Sequence, residues 1–312
     1  MYDNIDFRLG VEAARGVDLL RDTPRYFNVT GEHYFDGGTV ISGGLDGYKI
    51  SVSERGVNIK DGSLCKYYLG DNFQTLGRGD TKRAIERLSD TLHLPISEAK
   101  VTRLDVAQNF IMNHPPTVYM NHLGELKYSK RAMCADSSLY YYQSKGLLIF
   151  YDKIREQKAK GNQIPTLYTD RNTLRYEQRY KKRLSQTFNV EAVTGGMLYD
   201  ERFYIDVVTR WRESYTAIKK INDVSLNFEA MKGKKDLYTL GVLALAEMMG
   251  GELDLIDQIN EAQQSGYLGK KQAFDIRQAV KDAFRHRQDI ITSNEAINEL
   301  SQKVTEATQF YR

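Results

Sequence analysis

The chain changes its hydrophobic rhythm near Val190. Up to about Arg183, short alternating runs rich in Tyr, Val, Ile and Gly predict strands over residues 46–53, 56–60, 63–69, 101–112, 139–143, 146–151 and 173–180. The joint GGLDG at residues 43–47 predicts a hairpin turn. Two helices interrupt this region. One runs from about residue 80 to 92, with Asp80 or Thr81 as N-cap and Ile85, Leu88 and Leu92 on one face. The other follows Tyr151, from Asp152 to about Lys160. Beyond Val190, apolar residues recur at three- and four-residue spacing over 199–220, 236–249, 252–264, 270–287 and 293–309. Gly250-Gly251 and Ser265-Gly266 punctuate these helices. Sheet first and helices last is an α+β order: a mainly antiparallel sheet domain over residues 1–189, then an all-helical part over 190–312. Residues 39–92 and 101–161 share the outline of strands with at least one helix, but no residue-level repeat supports a duplication.

Composition narrows the class. No apolar run approaches the roughly 20 residues of a membrane span, and the start, MYDNIDFRLG, carries early acids and no apolar stretch of the signal-peptide kind. Cys65 and Cys134 stand far apart, without metal-ligand spacing. A reduced, cytoplasmic setting is the expectation. The net charge of +3 says little, but its distribution says more. From Lys145 to Arg183 there are eleven bases (Lys145, Lys153, Arg155, Lys158, Lys160, Arg171, Arg175, Arg179, Lys181, Lys182, Arg183) against four acids (Asp152, Glu156, Asp170, Glu177). That excess suits a phosphate backbone, and equally a solvated face.

Three segments carry candidate chemistry. In VTRLDVAQNF, alternation puts Arg103, Asp105, Ala107 and Asn109 on one face. In TLRYEQRY, Thr173, Arg175, Glu177 and Arg179 share one face. Asp is depleted in strands, so each carboxylate either pairs with a neighbouring Arg or ligates a metal. Read alone, the first strand favours the pair. Two such strands together raise the metal reading, since Mg²⁺ or Mn²⁺ takes oxygen ligands and often only one or two carboxylates. The third segment, LLIFYDKIREQKAKG, delivers Tyr151 to the end of an apolar strand, two residues before Lys153. A phenol with a pKa near 10 needs a nearby cation or metal to act as a nucleophile, and Lys153 could supply it. With 21 tyrosines in the chain, the residues alone do not select Tyr151 over Tyr140, Tyr141, Tyr142 or Tyr204. There is no His-hydrophobe-His pair and no GxxxxGK[ST] loop, so neither the usual two-histidine metal site nor a P-loop ATPase is expected.

Taken in order, Arg103-Leu104-Asp105, then Tyr151-Asp152-Lys153 at the end of an aliphatic strand, then Arg175-Tyr176-Glu177-Gln178-Arg179, resemble the motifs of the gene II / gene X family of filamentous phage and plasmid replication initiators. The resemblance spans about Tyr48 to Phe188; the Rep_trans plasmid initiators are similar at a greater distance. It implies an enzyme that nicks and religates single-stranded origin DNA through a 5′-phosphotyrosine. Carried over by position, Tyr151 is the nucleophile, Asp105 and Glu177 hold Mg²⁺ or Mn²⁺, and Lys153 stabilises developing negative charge. Arg103, Arg175 and Arg179 are candidates for phosphate contact. Lys181, Lys182 and Arg183, from the basic stretch that ends at Arg183, complete the candidate DNA-binding set. Tyr140 to Tyr142 could stack on bases, though sheet packing is the plainer role. Partners implied are origin DNA, single-stranded or cruciform, a host helicase and a DNA polymerase.

Three other readings stay open on the sequence. One is a non-catalytic DNA-binding initiator, one a conjugative or transposon relaxase with the same chemistry, and one a hydrolytic nuclease in which Tyr151 is structural. The resemblance does not reach the helical part. A bundle, a homodimer contact, a duplex reader or a helicase contact would each suit it, and residues 261–273 permit a helix-turn-helix reading.

Overall fold

Alternation of buried and open positions builds one long sheet. The computed structural model describes residues 1–14, 16–135, 137–221, 225–226, 233–286, 291–292 and 295–310. Ten strands pair: β1 (Tyr2–Gly10), β2 (Asn28–Phe35), β3 (Gly38–Leu45), β4 (Tyr48–Ser53), β5 (Gly56–Lys60), β6 (Lys100–Met112), β7 (Lys130–Cys134), β8 (Ser138–Tyr142), β9 (Gly146–Asp152) and β10 (Asn172–Tyr180). Their order is β2-β3-β4-β5-β1-β6-β10-β9-β8-β7, and each neighbouring pair is antiparallel. The fold is the α+β arrangement that the order of elements predicts. The strand order also reveals a repeat that the residues hide. In each half a first strand (β1 or β6) pairs with the last of four consecutive strands (β5 or β10), and β1 and β6 join the halves.

Helices punctuate both halves: α1 (Leu19–Asp22), α2 (Leu64–Leu69) and α3 (Arg78–Leu92) in the first, α4 (Pro116–Asn121), α5 (Lys153–Ala159), α6 (Leu184–Phe188) and α7 (Glu201–Thr216) in the second. The predicted strand at 63–69 is helix α2. Ser63 Oγ accepts from the Lys66 N–H at 3.1 Å, Leu64, Cys65 and Tyr67 are buried, and left-handed Gly70 (φ 88°) stops the helix. A short apolar run does not distinguish helix from strand by periodicity, and the cap decided it. Helix α3 is capped by Gly77 rather than by Asp80 or Thr81; Asp80 Oδ2 reaches back to the Gly77 N–H at 3.1 Å. In GGLDG the turn falls on Asp46 and Gly47, both at positive φ (44° and 88°), while Gly43 and Gly44 belong to β3.

One sheet face is packed by helices through its aromatic residues. Phe150 stacks on Tyr176 with centroids 4.4 Å apart, Tyr176 stacks on Trp211 of α7 at 4.6 Å, and the Tyr176 hydroxyl donates to the Trp211 carbonyl at 3.0 Å. Alternation therefore turns Arg175, Glu177 and Tyr151 to the opposite face.

Contacts divide the chain into two units, Met1–Ile221 with Glu299–Arg312, and Asn222–Asn298. The rhythm changes near Val190, but α7 beyond it belongs to the sheet unit. So does most of a last helix (Glu295–Phe310): its Glu299 carboxylate takes the Asn113 N–H at 3.0 Å and the Tyr119 hydroxyl. The other unit contains α8 (Lys234–Met248), α9 (Glu252–Gln264) and α10 (Lys270–Arg285), packed through Ala246, Leu255, Ile259, Ala273 and Val280. The predicted helix ends at Arg287 and Ser293 lie outside the described residues. No helix among the described residues is long and apolar enough to cross a membrane.

Candidate active site

Register brings the three motif strands together. Arg175 pairs with Asn109 of β6 on one side and with Tyr151 of β9 on the other. Glu177 pairs with Ala107 and Ile149, and Arg179 with Asp105 and Leu147. Paired residues share a face, so Asp105, Arg175, Glu177, Arg179 and Tyr151 form one patch. A polar cleft of about 310 Å³ opens on it. Its lining includes Asp3, Asn72, Tyr151, Glu156, Glu177 and Arg179, with exposed Asp61, Lys66 and Lys160 around them.

The Tyr151 hydroxyl lies 3.4 Å from Glu177 Oε2. Burial pushes the phenol pKa well above 10, and the Arg175 guanidinium pulls against that rise. Glu177 is 2 % exposed and is held between two arginines, Arg175 Nε at 3.4 Å and Arg179 Nε at 2.5 Å. Asp105 is fully buried; Arg103 Nε donates to it at 3.0 Å, and Arg179 Nε stands 3.6 Å away. Burial pushes the Asp105 carboxyl up to about 7, Arg103 pulls it down, and Glu177 pushes it up again. The structure thus brings Tyr151 to Glu177 directly, and links Asp105 to them through Arg179.

Two basic candidates take places different from those the sequence suggests. Lys153 is buried, and its ammonium donates to Asn72 Oδ1 at 3.0 Å and Glu156 Oε2 at 3.1 Å. Burial lowers its pKa to about 8. The cation in register with the phenol is Arg175. Arg175 is 1 % exposed, and its guanidinium is turned to protein partners. It contacts Asp3, Glu177, Asn109 Oδ1 (3.1 Å) and the Asn72 carbonyl (3.1 Å). Arg103 and Arg179 keep part of their surface open. Lys181, Lys182 and Arg183 are exposed beyond the end of β10, about 20 Å along the strand from Arg175. There the Lys181 and Lys182 N–H groups donate to the Lys145 carbonyl at 3.2 and 3.3 Å.

Sequence reasoning missed Asp3 and Asn72. Opposite Asp105, β1 carries one extra residue: Tyr2 pairs with Val106 and Ile5 with Leu104, leaving both Asp3 and Asn4 against a single partner position. Such a bulge re-aims a side chain, and Asp3 is buried against Arg175, Ser63 and Asn72. The Asn72 carbonyl accepts from Asn109 Nδ2 at 2.9 Å as well as from Arg175. The available signal was an acid-rich start, YDNID, followed by the alternation Ile5, Phe7, Leu9.

The donor set fits a hard divalent cation in one respect and resists it in another. Two carboxylates lie within the reach of one guanidinium, and Mg²⁺ often takes only one or two plus water and phosphate. Among the described residues no cluster of three or more His, Cys, Asp or Glu is placed to hold a metal. Arg179, partly exposed, is the group that would give way to an ion between Asp105 and Glu177.

No curated protein matches this chain. The family model for the N-terminal part of the replication-associated protein of filamentous phage gene II type matches residues 1–212 of the 312, the stretch that holds the sheet, the cleft and most of α7. The chain therefore belongs to the phage replication-associated protein family of gene II type.

Proposed function

We propose that this chain initiates rolling-circle replication by nicking and rejoining single-stranded origin DNA through Tyr151. The observation that carries the reading is the Tyr151 hydroxyl held 3.4 Å from Glu177 in an open polar cleft, within a chain of a replication-protein family. In the reaction Tyr151 Oη bonds to the scissile phosphorus and the bond from phosphorus to the 3′ oxygen breaks. The phenolic proton passes to Glu177 and on to solvent, and the departing 3′ oxygen takes a proton from solvent and leaves as a hydroxyl. Religation runs the same steps backwards, and the phosphotyrosine conserves the phosphodiester energy, so no ATP is needed.

The raised phenol pKa keeps Tyr151 protonated at neutral pH, so its proton must leave during attack. Arg175, in register with Tyr151, favours the phenolate. Asp105 and Glu177 would hold Mg²⁺ or Mn²⁺, and the ion would supply charge to polarise the phosphate and stabilise the leaving oxygen. Arg103 and Arg179 supply partly exposed guanidinium groups for phosphate. Lys153 acts one step back, by fixing Asn72.

The test is covalent capture. The chain is incubated with Mn²⁺ and single-stranded oligonucleotides covering the replicon's origin region, then resolved on a denaturing gel. A protein–DNA adduct is expected with one strand, and failure with every origin-region strand would overturn the reading.

Metal binding carries its own pH signature. Asp105 must lose its proton to bind, and its carboxyl sits at about 7 against an ordinary value of 3.8. Between those values the folded chain binds more protons than the unfolded one, so without metal this group's contribution to stability falls as pH rises toward 7. Mn²⁺ reverses that trend. Its affinity, read by calorimetry, is expected to rise by about ten-fold per pH unit below 7 and to flatten above it. A flat profile from pH 5.5 to 8 would remove Asp105 from the metal site.

A further inference from the structure

Three consecutive tyrosines on β8 divide between the two faces. Tyr141 is buried on the helix-packed side, where its hydroxyl donates to the Gly124 carbonyl at 2.7 Å. Tyr140 and Tyr142 point to the cleft side. Tyr140 stands in the cross-strand row of Glu177 and Ile149, and Tyr142 in the row of Arg179 and Leu147. Their rings are nearly parallel, with centroids 5.8 Å apart and planes 12° from each other. Tyr142 keeps 48 % of its surface exposed, and its partner on β7 is exposed Lys130. Packing explains Tyr141, but it does not explain a half-open pair of parallel rings beside a polar cleft.

What lies beyond the pair points to the ligand. The β8–β9 connection contains Lys145, whose carbonyl holds the Lys181 and Lys182 backbone, and Arg183 follows. All four side chains are exposed. From the row of Tyr151 to that corner is about 17 Å along β9, and the tyrosine pair stands between. Cations at the far end, flat aromatic faces in the middle and the candidate nucleophile at the near end match a nucleic-acid strand with unpaired bases: phosphates need the first and bases the second.

We propose that Tyr140 and Tyr142 are a base-stacking shelf for single-stranded DNA, which leads from Tyr151 to a phosphate-binding corner of Lys145, Lys181, Lys182 and Arg183. This rests on the nicking reading for its substrate class and adds residues that read no sequence but hold the strand. A base laid on the open face of Tyr142 continues the column that the two rings begin. The shelf is sequence-tolerant, because every base offers a flat face.

The test separates shelf from chemistry by omitting metal. Binding of a fluorescein-labelled oligothymidylate is measured by anisotropy in EDTA with the full chain. Stacking of one base contributes about 5- to 150-fold in affinity. Replacing both residues (Tyr140→Ala with Tyr142→Ala) is expected to weaken binding by about ten-fold or more. The plot of log affinity against log salt should keep its slope. The pair Tyr140→Phe and Tyr142→Phe retains the rings and should stay within about two-fold of the parent. Tyr142→Ala alone, at a half-exposed position, should cost about five-fold without lowering the thermal unfolding midpoint. The pair Lys181→Ala and Lys182→Ala removes two phosphate contacts and should flatten the salt slope by about 1.4. No binding by the parent, binding by the alanine pair within two-fold of it, or an equal loss in the phenylalanine pair would overturn the shelf. An adduct-forming parent whose alanine pair binds normally would sink the shelf alone. A parent that binds through the shelf but forms no adduct with any origin strand would sink the nicking reading alone.

Discussion

Tyr151→Phe is expected to abolish the covalent protein–DNA adduct, lowering its rate of formation by about 10⁴-fold or more, while the fold stays intact. The substitution removes one oxygen and keeps the ring. That oxygen makes a single long contact, 3.4 Å to Glu177, so its loss leaves no short hydrogen bond broken. The thermal midpoint should therefore stay close to the parent's, and single-stranded DNA should still bind. The other tyrosines weighed from the sequence occupy different chemistry. Tyr141 and Tyr204 are buried on the helix-packed face, with their hydroxyls donating to the Gly124 and Leu76 carbonyls at 2.7 and 3.3 Å. Tyr140 and Tyr142 are on the cleft side, one strand further from Glu177. An adduct that persists in Tyr151→Phe, mapped to another tyrosine by mass spectrometry, would displace Tyr151. Hydrolytic cleavage that persists without any adduct would favour the metal-dependent nuclease.

Alternation made much of the sheet readable. Residues 56–60 and 173–180 become strands because Val57, Ile59, Leu174 and Tyr176 bury one face. The same rule assigned Asp105, Glu177 and Arg175 to shared faces before their register was known. It failed where a local device overrode period. At 63–69 a serine cap made a helix. At Asp3-Asn4 a bulge breaks the phase of β1, which hides both the strand and the acid it delivers to the cleft. The duplicated topology was invisible because strand order is a long-range property and no residue-level repeat marks the two halves. Selecting Tyr151 was out of reach of periodicity for a related reason. Its setting depends on Arg175 and Glu177, which are distant in sequence and adjacent only through pairing. Proximity in sequence does not give the surroundings of Lys153: two residues from a strand-end tyrosine, it is buried in α5, where its ammonium donates to Asn72 and Glu156.

Arg175 is where the site and the stability of the sheet coincide. Its guanidinium is 1 % exposed and touches Asp3, Glu177, Asn109 and the Asn72 carbonyl. Burial alone would lower its pKa, but Tyr151, Asp3 and Glu177 raise it, so the charge is kept. Removing one partner of a buried ion pair costs about 3–5 kcal/mol, because the remaining charges stay buried without compensation. Arg175→Met leaves Asp3 in that position and Glu177 with Arg179 as its remaining cation. At about 2–4 °C per kcal/mol for a unit of this size, its unfolding midpoint should fall by about 10 °C. Arg175→Lys keeps the charge but loses the fork that reaches four partners at once, and should fall by about half as much. The adduct rate should drop in both: Met removes the cation in register with the phenol, and Lys keeps a charge there without the fork that fixes its position. Asp3→Asn supplies the second arm. If Asp3 and Arg175 act as one unit, the double variant Asp3→Asn with Arg175→Met should be more stable than the sum of the two single losses predicts, by about 1–3 kcal/mol. A midpoint within 2 °C of the parent for Arg175→Met would mean that water or Lys153 takes over the buried carboxylates. Strict additivity in the cycle would mean that Asp3 is held by Ser63 and Asn72 alone. In that case the bulge in β1 would shape the cleft without supporting its charge.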